Sequence, residues 1–259
     1  MKRTKSSTKT VLYGVHPVLE NFRARKRLIE EVFISRDSRL DSLTAQFELA
    51  GIPINKMNPK DLAAFCGSQH HQGIAASVGP FPYADLSDLT SQEAEGLLVI
   101  LDEIQDPSNL GTILRSCHCL GASGVVLTKD RAVPVTPAVE KAAAGASAHV
   151  LVARIVNLAR EIDGLKDLGF WIYAADARAS SSVYAMDLTE KIAVVFGSEF
   201  SGIRRLVREK CDGTISIPML GTIDSLNVAQ TATVILAESL RQRLVKKPEL
   251  LLHASHGSK

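Results

Sequence analysis

The stretch Ile192–Ala232 decides the fold: it reads IAVVFGSEFSG from Ile192 to Gly202, crosses a basic run, and continues as TISIPMLG from Thr214 and SLNVAQTA from Ser225. Ile192–Phe196 is short, apolar and β-branched and stops at Gly197, the pattern of a strand buried on both faces. Gly197 and Gly202 flank Ser198, Glu199, Phe200 and Ser201, so small residues and one carboxylate follow a strand's C-terminal end. That is where open α/β sheets bind ligands. Thr214–Ile217 repeats the device and ends at Pro218, Met219, Leu220 and Gly221. Asp224, Ser225, Leu226 and Asn227 then offer capping chemistry to an Ala-rich helix. Taken singly, each loop is also an ordinary turn or cap.

Upstream, the apolar run Leu97–Leu101 leads into DEIQDPSNLG (Asp102–Gly111) and a helix carrying Arg115. Between and beyond these segments strands alternate with helices. The helices are expected at 108–120, 137–146, 158–168, 201–210 and 225–245, and the strands at 124–128, 150–155 and 170–174. Alternation of this kind predicts an α/β fold with a mostly parallel sheet covered by helices on both faces. No GxGxxG turn follows the first strand, and the chain holds no Walker-type loop, GxSxG elbow or HExxH motif. The dinucleotide, nucleoside-triphosphate, serine-hydrolase and zinc-protease classes therefore lose their sequence support.

The 259 residues are 46% hydrophobic, enough for one large domain or two modest ones. Residues 1–79 read as a small α/β unit: strands at 31–35, 54–57 and 74–78, with helices from Pro17, at 38–50 and at 60–66. Residues 80–95, Pro-rich and then acidic, read as a linker, and 96–259 as the second domain. Net charge is only +2, but Lys2, Arg3, Lys5, Lys9, Arg23, Arg25, Lys26 and Arg27 crowd the first 27 residues against a single acid, Glu20. Such a cluster suits phosphate, and equally a solvated tail and helix surface. The four cysteines form no CxxC or zinc-finger spacing, so no metal is expected and the thiols read as reduced. No run is long and apolar enough for a membrane span, which points to a cytoplasmic protein.

Three segments, DPSNLGTILR (Asp106–Arg115), FGSEFSGIRR (Phe196–Arg205) and IPMLGTIDSLNVA (Ile217–Ala229), resemble in order the signature motifs of the SpoU-type ribose 2′-O-methyltransferases of the SPOUT superfamily. The pieces YGVHPVLE (Tyr13–Glu20) and HQGIAA (His71–Ala76) resemble the ribosomal-protein-like RNA-binding extension of members that modify 23S ribosomal RNA. The resemblance implies a sheet with a trefoil knot at its C-terminal end, which spacing alone does not give. It implies S-adenosylmethionine as cofactor, held by Gly197, Ile217, Met219, Leu226 and Asn227; outside the motif, Ile217, Met219 and Leu226 read as core. It implies catalytic roles for Arg115, Asn109 and Glu199 and a homodimer whose sites borrow residues across the interface. For RNA it points to Arg115, Arg204, Arg205 and His16, although arginine also suits an exposed helix and a histidine beside proline often bonds locally. Asn109, Ser225 and Asn227 read as helix caps as well as site residues. Two departures stand out: Phe200 replaces a usual glycine, and Ala229-Gln230 follows Asn227 where other small residues are usual. The implied function is methyl transfer to a ribose 2′-hydroxyl, of a 23S guanosine or else of transfer RNA. A non-catalytic RNA-binding assembly factor is the alternative from another class.

Overall fold

The structure, a computed structural model, describes residues 9–91 and 96–250. Lys2, Arg3 and Lys5 of the basic cluster, residues 92–95 of the expected linker and the tail from residue 251 lie outside them. The elements run β1 (Thr10–Tyr13), α1 (Val15–Ala24), β2 (Ile29–Ser35), α2 (Asp41–Leu49), β3 (Ile54–Met57), α3 (Pro59–Cys66) and β4 (Ile74–Val78). They form a four-stranded sheet, order β1-β4-β2-β3, in which only β2 and β3 are parallel. The period of two along the strands sorts the side chains. Leu12, Val32, Ile34, Ile74 and Ala76 face Val18 of α1 and Phe47 of α2, while Tyr13 and Ala75 face Leu62 of α3. α2 starts three residues later than the pattern predicts, because Ser38 Oγ donates to the Ser35 carbonyl and closes a turn there.

The chain continues as α4 (Leu86–Thr90), β5 (Leu97–Asp102), α5 (Pro107–Leu120), β6 (Gly124–Thr128), α6 (Pro137–Ala142), β7 (Val152–Ile155), α7 (Leu158–Asp167), β8 (Trp171–Ala175), β9 (Ile192–Gly197), α8 (Arg205–Lys210), β10 (Gly213–Ile215) and α9 (Val228–Lys246). Six of these are strands of one wholly parallel sheet, order β10-β8-β9-β5-β6-β7. β5 and β9 lie at its centre and are buried on both faces, which is why their sequences are unbroken apolar runs. Residues 83–90, read above as linker, contribute to this unit. Ala84 pairs with Ala153, a capping box between Asp85 and Asp88 starts α4, and Leu89 enters the core. A five-residue helix is too short to show a period and is not legible from the pattern of residues.

Contacts divide the chain into two compact units, one running to Pro82 and including Val135–His149, the other Tyr83–Pro134 and everything from Val150. The expected helix 137–146 stops at Ala142, since Ala144 (φ 51°) and Gly145 (φ 91°) turn left-handed before a 3-10 turn at Ala146–Ala148. Its segment packs within the first unit. Glu140 pairs with Arg27, both side chains about 4% exposed, and Arg27 also bonds Asn21 and the Gly79 carbonyl. Lys141 reaches Gln72, and His149 reaches Glu20. A Cβ on Gly145 would lie 2.8 Å from the His16 carbonyl, so glycine is needed there for approach as well as for φ.

Burial pushes the Glu140 carboxyl up, to about 7, against the pull of Arg27. Arg27→Met removes that pull and leaves the carboxyl buried without its cation. It should cost about 3 kcal/mol of stability, read as a lower urea midpoint; an unchanged midpoint would show that the pair contributes nothing.

Candidate active site

Asp102 and Gly197 end the two central strands side by side in register. Everything in the site hangs on what these two residues do to the loop between β9 and α8. A Cβ on Gly197 would lie 2.1 Å from the Gly202 carbonyl carbon and 2.3 Å from Ile203 N, so the backbone folds back directly over the strand end. Gly202 supplies the left-handed φ of 65° that the return needs. The turn is closed by Gly202 N donating to the Ser198 carbonyl at 2.9 Å and by a 2.7 Å bond between the Ser198 and Ser201 hydroxyls. From the neighbouring strand, Asp102, wholly buried, accepts from Arg204 N at 2.9 Å and from Arg204 Nε at 2.8 Å.

Arg204 is therefore committed. The hydrogen bond to Asp102 raises its pKa, and Glu103 adds a second carboxylate at 3.5 Å. Both arginines reach solvent, but Arg205 is the more exposed, and among the described residues its side chain is ion-paired only with exposed Glu209. The predicted helix from Ser201 begins instead at Arg205, because the closed turn uses Ser201 and Gly202.

Held this way, Glu199 meets one residue from each of the other two motif segments. Its Oε1 accepts from Asn109 Nδ2 at 2.9 Å and from Asn227 Nδ2 at 2.6 Å, and Asn227 Nδ2 also donates to Asn109 Oδ1 at 3.0 Å. The double readings now separate. Asp106, not Asn109, caps α5 by accepting from Ser108 N, which frees the Asn109 side chain for the cluster. Asn227 does both jobs, since its Oδ1 accepts from Ala229 N as the cap of α9.

The cluster adjoins a cavity of about 380 Å³ lined by Gly197, Glu199, Ile217, Met219, Leu226 and Asn227. Ile217, Met219 and Leu226 are not core residues: each is partly or largely exposed, forming apolar wall instead. Among the lining residues that sequence reading missed are Asp176 and Arg208, an ion pair at 2.5 Å. The available signal was an aspartate immediately after β8, again at a strand's C-terminal end. Apolar walls, a glycine floor and a few fixed polar groups make a small-molecule site. They suit S-adenosylmethionine, whose adenine and aliphatic chain need apolar walls and whose hydroxyls and amino group need acceptors.

Arg115 is not brought to this cluster within the chain. It follows Asn109 on α5 by six residues, about one and two-thirds turns, so it leaves another face. There it is exposed and makes no hydrogen bond or ion pair with the described residues. His16 is exposed in the first unit, and His71 is buried there with Nδ1 accepting from Gly73 N, a local turn bond. Among the described residues no His, Cys, Asp and Glu side chains group to hold a metal, and no helix is long and apolar enough to cross a membrane.

The SpoU rRNA methylase family matches residues 96–237, and the RNA 2′-O ribose methyltransferase substrate-binding family matches residues 11–84. The chain is 37% identical to the 23S rRNA (guanosine-2′-O-)-methyltransferase RlmB of Vibrio vulnificus, over 91% of this chain and 98% of that one. It is 43% identical to a putative TrmH family tRNA/rRNA methyltransferase of Staphylococcus aureus, over 71% and 76%. Among solved structures, the SpoU methyltransferase AviRb from Streptomyces viridochromogenes in complex with AdoMet superposes with a TM-score of 0.79 at 25% identity, covering 92% of this chain and 91% of that one. The parallel-sheet unit is thus the knotted domain of this fold.

Gly197→Ala puts a methyl group into backbone. It should destabilise the second unit by at least about 1–3 kcal/mol and speed hydrogen exchange at the Gly202 amide. Exchange at the original rate would mean that the loop does not close over Gly197.

Proposed function

The chain belongs to the SpoU family of S-adenosylmethionine-dependent RNA 2′-O-ribose methyltransferases, and from that membership we propose that it modifies ribosomal RNA, at a guanosine of the 23S molecule. The observation that carries the reading is the Asn109–Glu199–Asn227 cluster, two of whose members line the cavity, in a chain whose first unit matches a substrate-binding family. When bound, S-adenosylmethionine supplies an electrophilic sulfonium methyl group. Gly197, Ile217, Met219, Leu226 and Asn227, which line the cavity, would hold it, and backbone beside Ile217 and Leu226 would read the adenine.

Methyl transfer to a hydroxyl is an in-line displacement, so alignment is the protein's main contribution. Glu199 fixes the two asparagine amides, and Asn109 orients the ribose. Glu199 Oε2 makes no hydrogen bond with the described residues and is a ready acceptor for a hydroxyl. A guanidinium is a poor proton acceptor, so Arg115 is given another role. It grips the adjacent phosphate and stabilises charge developing on the 2′-oxygen, while the proton passes to phosphate or water. Arg205 and His16 supply further contacts to RNA; Arg204 serves the loop.

We assign a homodimer in the cytoplasm, the compartment in which four free cysteines stay reduced. Leu220 and Ile223 of the third motif stand exposed and give a partner apolar surface to cover. Arg115, remote from its own cluster, completes the partner's site. Arg115→Ala should abolish transfer and leave cofactor affinity nearly intact. Mixing Arg115→Ala with Asn109→Ala subunits should restore part of the activity, because mixed dimers hold one intact site; no recovery in proven mixed dimers would place Arg115 in its own subunit's site.

The function itself is tested by transfer of labelled methyl groups to unmodified 23S rRNA and, separately, to bulk transfer RNA. Alkali-resistant dinucleotides from the ribosomal RNA are expected. Product from transfer RNA alone would overturn the substrate, and binding of RNA with no transfer to either would favour an assembly factor.

A further inference from the structure

Glu199 is held by Asn109 and Asn227, while its neighbour on the closed loop makes no such contact among the described residues. Phe200 is fully exposed, at 101% of its reference surface, and is the only aromatic residue between Phe196 and the end of the chain. Its direction is fixed from both sides. Glu199 is tied to Asn109 and Asn227, while Ser201 is tied to Ser198 through Oγ and through its amide. The return of Gly202 over Gly197 prevents the turn from rolling over. A benzyl group presented to water on a braced turn, one residue from the carboxylate of the reactive cluster, is a contact surface without an internal partner.

We propose that Phe200 is a stacking platform for a nucleobase next to the nucleotide being methylated, and so adds to the affinity of this chain for its RNA. The inference rests on the function proposed above. The target ribose must reach the Asn109–Glu199–Asn227 cluster, and consecutive Cα atoms lie about 3.8 Å apart, so the next side chain falls within about one nucleotide of that ribose. Proteins read single-stranded RNA by stacking splayed bases on aromatic rings. The residues that follow supply the matching charge. Arg205 stands in solvent, and its only ion pair, with Glu209, is an exposed surface pair that a phosphate can displace at little cost. An exposed aromatic ring with an exposed arginine five residues further along the chain fits a base and its phosphate better than an apolar protein surface.

The test uses full-length protein and unmodified 23S rRNA transcribed in vitro. Phe200→Ala should raise the KM for the transcript about tenfold, the scale of one lost base stack, with cofactor affinity unchanged, and Phe200→Tyr should restore it. In a Trp171→Phe background, which removes the native indole, Phe200→Trp should show fluorescence quenched by the transcript. An unchanged KM in Phe200→Ala, or an indole blind to RNA, overturns the proposal. So does an indole that responds to protein concentration alone, or loss of the dimer on sedimentation of Phe200→Ala, either of which assigns Phe200 to a second copy. Absence of methyl transfer by the unsubstituted protein would instead refute the function; the fluorescence of the bound transcript still reports on the stack.

Discussion

The backbone of Gly202 lies on the end of β9, and the site depends on that approach. Gly197 permits it by having no side chain, and Asp102, paired with Gly197 in the adjacent strand, secures it by holding Arg204 through backbone and side chain together. A buried carboxylate is costly unless it is fully bonded, and here the arginine amide and guanidinium bond both oxygens. The two central strands thus act on one loop, one by steric permission and the other by charge. The direction of Glu199 follows, and with it the cluster that joins three segments far apart in sequence.

The first unit uses a similar economy for a different end. Val135–His149, which lies between two strands of the parallel sheet in sequence, packs against β1, α1 and the 71–73 turn of the first unit. The residues of YGVHPVLE and HQG are largely occupied there: Gly14 and Gly145 allow close approach, Gln72 and Glu20 bond Lys141 and His149, and His71 stabilises its own turn. Only His16 of the two histidines faces solvent. Motif residues that attract attention as possible base readers can thus be the ones that make a clasp.

The arginines divide by the same logic. Arg27 and Arg204 are partnered by buried carboxylates and serve structure, although Arg204 still reaches solvent, whereas Arg115 is exposed without such a partner among the described residues and Arg205 has only an exposed one. Charge that is already neutralised inside the protein is unavailable to a phosphate. Sequence counts treat all four alike.

What the sequence determined was local and periodic. Apolar β-branched runs fixed the strands, Pro107 and Gly121 bounded α5, and the absence of phosphate-loop glycines excluded the commoner nucleotide folds. The three motifs also marked Asn109, Glu199 and Asn227, because resemblance carries information that spacing lacks. The tertiary structure alone decided which cap was a cap. Asp106 and Asn109 are equally good capping residues in a string of letters, and only the position of Glu199, ninety residues away, draws Asn109 into the cluster. It alone separated Arg204 from Arg205 and sent 135–149 to the first unit. Each of these turns on an encounter between distant segments, and periodicity reports only how a segment treats its nearest neighbours.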